Sequence, residues 1–302
     1  MAVKNKSASA LARLRNQARE EGISYQMSLQ LFFQEEFLRR LSHSRYRDNL
    51  ILKGGMFIYV LTEFDSRPTR DMDFMLRSLS NEPGNIKNVM EEICGTQTDN
   101  DYIWLEITGV EQITLEKKYP GVKTKLIGHI NNVRVPFSVD VGIDDVIVPA
   151  AEIRKIETRL EGFEAPEIYT YTLESTIAEK FDAILQRMDA TSRMKDFFDI
   201  YYLSNVFDFD GGLLKDAILE TTKHRDRELE DDVFVRIEKF DESDFFQRQW
   251  SKFEPAAEIN LPFSETLKRL ANFLEPIYVA VLRGEEFQGQ WKCEQKKWIC
   301  SQ

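Results

Sequence analysis

The chain has 302 residues, 42 % of them hydrophobic and 30 % charged, which supplies a sizeable core and excludes a disordered or collagen-like polymer. Its net charge is −11, yet residues 1–70 carry 12 basic against 7 acidic side chains; a wholly basic coat for duplex DNA is excluded, whereas a local basic strip is not. No apolar run approaches the ~20 residues of a membrane-spanning helix, the N-terminus lacks the apolar stretch of a signal peptide, and three cysteines give no disulfide framework, so a cytoplasmic protein without a membrane partner is expected.

Residues 7–21 have Leu11, Leu14 and Ala18 at helical spacing, with Gly22 as a stop. A second helix is predicted over 26–42, with Leu29, Phe32, Phe33, Phe37 and Leu41 as its buried stripe and Glu35, Glu36, Arg39 and Arg40 mostly outside it. Leu50 to Lys53 reads as a short buried approach to a Gly54-Gly55 turn, which opens an apolar helix from Met56 to Leu61. Polar turn residues from Asp65 to Arg70 lead into Asp71-Met72-Asp73-Phe74-Met75-Leu76, whose alternation is that of a half-buried strand. Residues 81–94 read as helix, and 102–107, 125–130 and 133–141 as strands, with a turn at Asn131-Asn132. After Pro149 strand character fades, and from about residue 165 the pattern is mostly helical, including Leu173 to Met188 and the segment from Arg193 to Leu203.

Asp71 and Asp73, two apart on a strand, share one face. Their mutual repulsion is relieved by a hard divalent cation with oxygen ligands, and Mg²⁺ suits one or two carboxylates plus substrate phosphates. Acidic pairs are also common surface features in a chain with 51 acidic residues. Gly54-Gly55 at a turn into a helix lets backbone N–H groups approach a phosphate, although a plain turn uses the same residues. Fifteen residues separate Gly55 from Asp71, room for one helix and a return loop. Asp140 is the candidate third carboxylate, with Glu106 and Asp144 as rivals. Lys180 and Arg187, seven apart on one helix, flank its apolar stripe and either neutralise phosphate or snorkel at the core edge. Asp196 falls on the apolar side of the next helix, as a first-turn carboxylate or as one held against Lys180.

Four blocks in order resemble the AbiEii/AbiGii-type nucleotidyltransferase toxins of the DNA-polymerase-β-like superfamily. They are Leu52-Lys53-Gly54-Gly55; Arg67-Pro68-Thr69-Arg70-Asp71-Met72-Asp73; Leu173 with Glu179-Lys180 and Arg187; and Arg193-Met194-Lys195-Asp196-Phe197-Phe198-Asp199. The resemblance implies Mg²⁺, or Mn²⁺ in its place, on Asp71 and Asp73; Asp140, read from the strand pattern, is the candidate to complete the metal set. It implies an NTP held by Gly54, Gly55, Arg67, Thr69 and Lys180, with Asp71, Asp73, Lys180 and Asp196 as the catalytic residues; Lys53, beside the glycines, and Arg187, on the helix of Lys180, are further candidates for nucleotide binding. Met56 stands where the wider superfamily has a phosphate-binding Ser or Thr, and Thr69 is the candidate substitute.

The expected fold is α/β (α+β): an N-terminal nucleotidyltransferase-type mixed sheet with flanking helices over 1–165, then a mainly helical domain over 166–302 that brings Lys180 and Asp196 to the cleft. The implied activity is transfer of a nucleoside monophosphate to an RNA acceptor, the tRNA 3′ end above all, by the toxin half of a toxin–antitoxin or phage-defence pair; the cognate antitoxin need not touch this chain. A protein or small-molecule acceptor and a non-catalytic nucleotide-binding regulator remain as alternatives. The N-terminal arginines (Arg13, Arg15, Arg19, Arg39, Arg40, Arg45, Arg47) favour an RNA acceptor. The histidines and the Cys293/Cys300 pair lack zinc-ligand spacing, and Trp291 and Trp298 read as a packed or mobile terminus.

Overall fold

The structure is a computed structural model that describes residues 5–113, 121–143, 146–253 and 261–300. The chain is a mixed α/β protein that divides into two compact units, one within Met1–Asp145 and Ala151–Tyr171, the other within Val146–Ala150 and Thr172–Gln302. No helix among the described residues is long and apolar enough to cross a membrane.

The first unit runs α1 (Lys6–Glu20), α2 (Tyr25–His43), β1 (Leu50–Lys53), α3 (Gly54–Leu61), β2 (Asp71–Leu76), α4 (Pro83–Gly95), β3 (Ile103–Ile113), β4 (Gly121–Ile130), β5 (Val133–Gly142), β6 (Glu152–Lys155) and β7 (Glu167–Thr170). Its seven strands form one sheet in the order β3-β4-β5-β2-β1-β7-β6. The pairing is mixed: β2 runs parallel to β5, and β1 parallel to β7, while the other neighbours are antiparallel. Side chains therefore alternate between a face packed on α2 and a face that carries the charged residues of β2, β4 and β5.

Helix α2 is anchored at its start by the Ser24 hydroxyl, which accepts from the Met27 N–H at 3.1 Å. Its apolar stripe lies on the sheet, with the Phe37 and Phe74 rings 5.9 Å apart. Where Phe33 crosses β4 the strand carries Gly128; a Cβ there would stand 2.2 Å from Phe33 Cγ, so helix and strand approach only because that side chain is missing.

The charged side of α2 departs from the sequence expectation. Glu35, Glu36, Arg39 and Arg40 are buried, because a second layer of chain covers that side. Arg39 donates to Glu35 and Glu36 at 2.5 Å each. Glu36 also accepts from Thr98 and Asn100 at 2.8 Å, and Arg40 donates to the Ile103 carbonyl at 2.7 Å and to that of Cys94. Each of these four buried charges is paired, the condition under which such burial is tolerated. Burial pushes the Glu35 carboxyl above its usual range, and the Arg39 guanidinium pulls it back. Arg39 and Arg40 are thus removed from any nucleic-acid-facing strip.

A second departure follows Pro149, where strand character does not fade. β7 adds beside β1 through Leu52 and Thr170, and β6 closes that edge of the sheet.

The second unit holds α5 (Leu173–Arg187), α6 (Met194–Val206), β8 (Phe209–Asp210), α7 (Gly211–His224), α8 (Val233–Glu238), α9 (Asp244–Lys252), α10 (Phe263–Arg283), β9 (Gly289–Lys292) and β10 (Lys297–Cys300). It is mainly helical. Residues 289–300 form a hairpin that completes a small sheet in the order β10-β9-β8, so Trp291 and Trp298 belong to a packed element. Trp291 is fully buried and donates to the Ser204 carbonyl at 2.7 Å; Trp298 lies parallel to Phe273 at 5.7 Å.

Candidate active site

In the first unit the candidate residues are built on the β1–α3–β2 segment. β1 and β2 pair antiparallel with Lys53 opposite Asp73, so the end of β1 delivers Gly54 directly beside the acidic strand. Gly54 has φ +69°, a conformation that glycine adopts at little cost. A Cβ on it would stand 2.5 Å from Asp73 Oδ2. Gly55 has the same relation to Thr69, whose Oγ1 would lie 3.0 Å from an added Cβ, with an Arg67 guanidinium nitrogen at 3.7 Å. Lys53, the N-cap residue of helix α3, gives no side-chain cap to the N–H donors of its first turn.

On β2 the alternation holds: Met72 and Phe74 are in the core, while Asp71 is exposed and Asp73 half-buried on the other face. Met56 is buried and offers no hydroxyl. Thr69 is also buried; its hydroxyl accepts from the Asp71 N–H at 3.3 Å and stands beside Gly55. The Lys53 ammonium lies 5.2 Å from the centre of the Tyr171 ring.

Asp140 joins this group through parallel pairing of β2 and β5, which sets it opposite Asp73. Its Oδ2 is 3.0 Å from Lys123 Nζ, and its Oδ1 is buried without a hydrogen-bond partner. Burial pushes the Asp140 carboxyl above its usual range; Lys123 counteracts this, and the charges of Asp73 and Asp71 add to it. For Lys123 burial works against the charge, but the hydrogen bond and charge of Asp140 outweigh it, with help from Asp71 and Asp73, and hold the ammonium above its ordinary value. Of the rival carboxylates, Glu106 is on β3, bonded to His129 at 2.8 Å and separated from β2 by two intervening strands; Asp144 lies outside the described residues.

Lys123 was not singled out from sequence, although a signal was present. A two-residue hairpin turn pairs positions equidistant from it. Asn131-Asn132 is such a turn, with Asn131 at φ +50°, and it sets Lys123 against Asp140.

In the second unit, α5 is capped by the Thr172 hydroxyl on the Ser175 N–H and presents Lys180, which is buried. Its ammonium is 2.6 Å from Asp199 and 3.4 Å from Asp196, both on α6 and both buried. Arg193 holds the other Asp196 oxygen at 2.5 Å. Asp199 is thus the closer partner, a residue quoted in the sequence block but given no role there. Arg187, in the last turn of α5, is exposed and stands apart from that ion-pair group.

The carboxylates of Asp71 and Asp73, on one face of β2, are an all-oxygen pair that fits Mg²⁺ bound by few protein ligands and completed by phosphates, with Asp140 beside them in the grip of Lys123. Among the described residues no three His, Cys, Asp or Glu side chains form a metal cage by themselves.

No curated protein matches the chain. Two solved structures align at 14 % identity. A candidate nucleotidyltransferase from H. pylori covers 85 % of this chain and 99 % of its own, with a TM-score of 0.49. JHP933 from Helicobacter pylori covers 84 % and 94 %, with a TM-score of 0.48. The family described as nucleotidyl transferase AbiEii toxin, type IV TA system, matches residues 36–269. That span takes in β1 through the first third of α10, with both the acidic strand and the Lys180 ion-pair group inside it, and the chain belongs to this family of nucleotidyltransferase toxins of type IV toxin–antitoxin systems.

Proposed function

We propose that the chain transfers a nucleoside monophosphate from an NTP to an RNA acceptor, with the tRNA 3′ end as the first candidate, and that Asp71 and Asp73 hold the Mg²⁺ this requires. The observation that carries the reading is the contact of Gly54 with Asp73, which sets a phosphate-binding bend against a metal-binding strand.

In this reading the acceptor hydroxyl oxygen attacks the α-phosphorus and gives up its proton to solvent, the α–β anhydride bond breaks and pyrophosphate leaves. Phosphoryl transfer of this kind needs positioning and charge neutralisation more than covalent chemistry. The N–H groups of Gly54 and Gly55 bind triphosphate oxygens, and Thr69 and Arg67, which flank Gly55, bind alongside them. Lys53, at the end of β1, and Arg187 add positive charge for the nucleotide. Lys180 neutralises phosphate, and Asp196, on the apolar side of α6, keeps its ammonium oriented. Bound Mg²⁺, or Mn²⁺, would supply Lewis acidity at the phosphates and at the attacking hydroxyl. Asp140 completes the acidic face.

The test is incubation of the protein with each α-labelled NTP, Mg²⁺ and total RNA, followed by separation of RNA, protein and small molecules. Label in a small RNA species that disappears with Asp71→Asn supports the reading. Label in protein or in a small molecule moves the acceptor class, and no label in any fraction rejects it.

A further inference from the structure

One cross-strand row runs through the acidic face. Lys123 on β4 is opposite Asp140 on β5, Asp140 is opposite Asp73 on β2, and Asp73 is opposite Lys53 on β1. Residues opposite one another across a sheet share a face and interact. Two carboxylates therefore stand side by side in this row, with a lysine on each outer flank.

The inner geometry is unequal. Asp140 is held through Oδ2 by Lys123 Nζ at 3.0 Å, while its Oδ1 is buried and has no hydrogen-bond partner. In two-metal phosphoryl-transfer sites the ions stand ~3.5–4 Å apart, bridged and flanked by carboxylates. A second ion here would draw on Asp140, at a ligand distance of ~2.0–2.1 Å. It would have to displace the ammonium or sit against it, and like charges repel.

We propose that the Lys123 ammonium is the built-in second cation of this site. It neutralises and positions Asp140, so that the acidic face binds one divalent ion, on Asp71 and Asp73, where an unpaired third carboxylate would bring a second. The inference rests on the metal-dependent reading above and concerns the number of ions, which that reading leaves open. Lys123 is a positioning residue: it acts through Asp140.

The test is Mn²⁺ titration followed by electron paramagnetic resonance of free Mn²⁺, on the full chain with an α,β-methylene NTP analogue that cannot be turned over. Thermal unfolding of each variant runs in parallel. One Mn²⁺ per chain is expected for wild type and for Lys123→Arg. Lys123→Met gains a second site, and Lys123→Met with Asp140→Asn loses it again. Asp140→Asn alone keeps one site, with affinity within about threefold of wild type.

Two Mn²⁺ on the wild-type chain, or loss of the single ion in a folded Asp140→Asn, overturns the inference and leaves the nucleotidyltransferase reading standing. A folded Lys123→Met with wild-type stoichiometry and affinity overturns it too. Should Lys123→Met fail to fold, the wild-type count and the Asp140→Asn result decide. Absence of any Mn²⁺ on wild type with the analogue present overturns the metal-dependent reading together with this one.

Discussion

Gly54 and Asp73 are locked together: a Cβ on the glycine would stand 2.5 Å from a carboxylate oxygen of the aspartate, and the glycine has φ +69°. Gly54→Ala therefore adds left-handed backbone strain of ~1–2 kcal/mol and pushes Asp73 aside. Transfer activity is expected to fall at least ~10-fold, with a far smaller change in the unfolding midpoint. Labelled-NTP incorporation and denaturant melts on the same preparation check it.

Asp71→Asn and Asp73→Asn remove carboxylates from the solvent side of β2 without touching the core residues Met72 and Phe74. Each is expected to lower transfer by ~10² or more, with the fold intact. Wild-type activity in the double variant would reject the metal role of this strand; circular dichroism confirms folding.

Lys180→Ala leaves Asp196 and Asp199 buried with no ammonium between them. Loss of one partner of a buried ion pair costs ~3–5 kcal/mol, so a large drop in stability is expected together with weaker nucleotide use. Lys180→Met with Asp199→Asn removes most of the buried charge mismatch. Its stability should recover while its nucleotide affinity does not, and a nucleotide-binding isotherm on that variant separates phosphate contact from packing.

Gly128→Ala drives a methyl group into the Phe33 ring at 2.2 Å. Overpacking of this kind costs ~1–3 kcal/mol. The urea midpoint should fall accordingly, and Phe33→Leu in the same chain should restore part of it by opening space.

Cys94 is buried, and burial pushes its thiol up to about 12, with Arg40 pulling it slightly back. The thiolate is the reactive form, so at pH 8 Ellman's reagent should modify Cys300 readily, Cys293 more slowly and Cys94 only after denaturation. The unfolded thiol ionises from its ordinary value of 9.0 while the folded one holds its proton to about 12. Ionisation then favours the unfolded chain, and stability declines as pH rises through that window, more in wild type than in Cys94→Ala.

The β1–α3–β2 order and the shared face of Asp71 and Asp73 were legible because alternation and a Gly-Gly break are local signals. The strands β6 and β7 were not: each is four residues long, too short for periodicity to register, and β7 is specified by its place beside β1. The hairpin of β9 and β10 was missed for the same reason. On α2, Glu35 to Arg40 reads as a solvated face because ion pairs at i,i+4 have the same spacing in water and in a core. Only the residues that cover the helix, Thr98, Asn100 and Arg159 among them, reveal that it is enclosed. Among the candidate residues of the first unit, the Gly54–Asp73 contact follows from local order; in the second unit, the pairing of Lys180 with Asp199 depends on how α6 packs on α5.

The Asn131-Asn132 turn sets more than the end of a hairpin. Successive side chains of β5 point to opposite faces, so a one-residue insertion or deletion at that turn, propagated along the strand, would invert it. Asp140 would point into the apolar layer, and Val139 and Val141 would emerge in its place. Loop length, rather than any single contact, keeps this carboxylate on the working side of the sheet, and the family's members should tolerate changes of sequence there far better than changes of length.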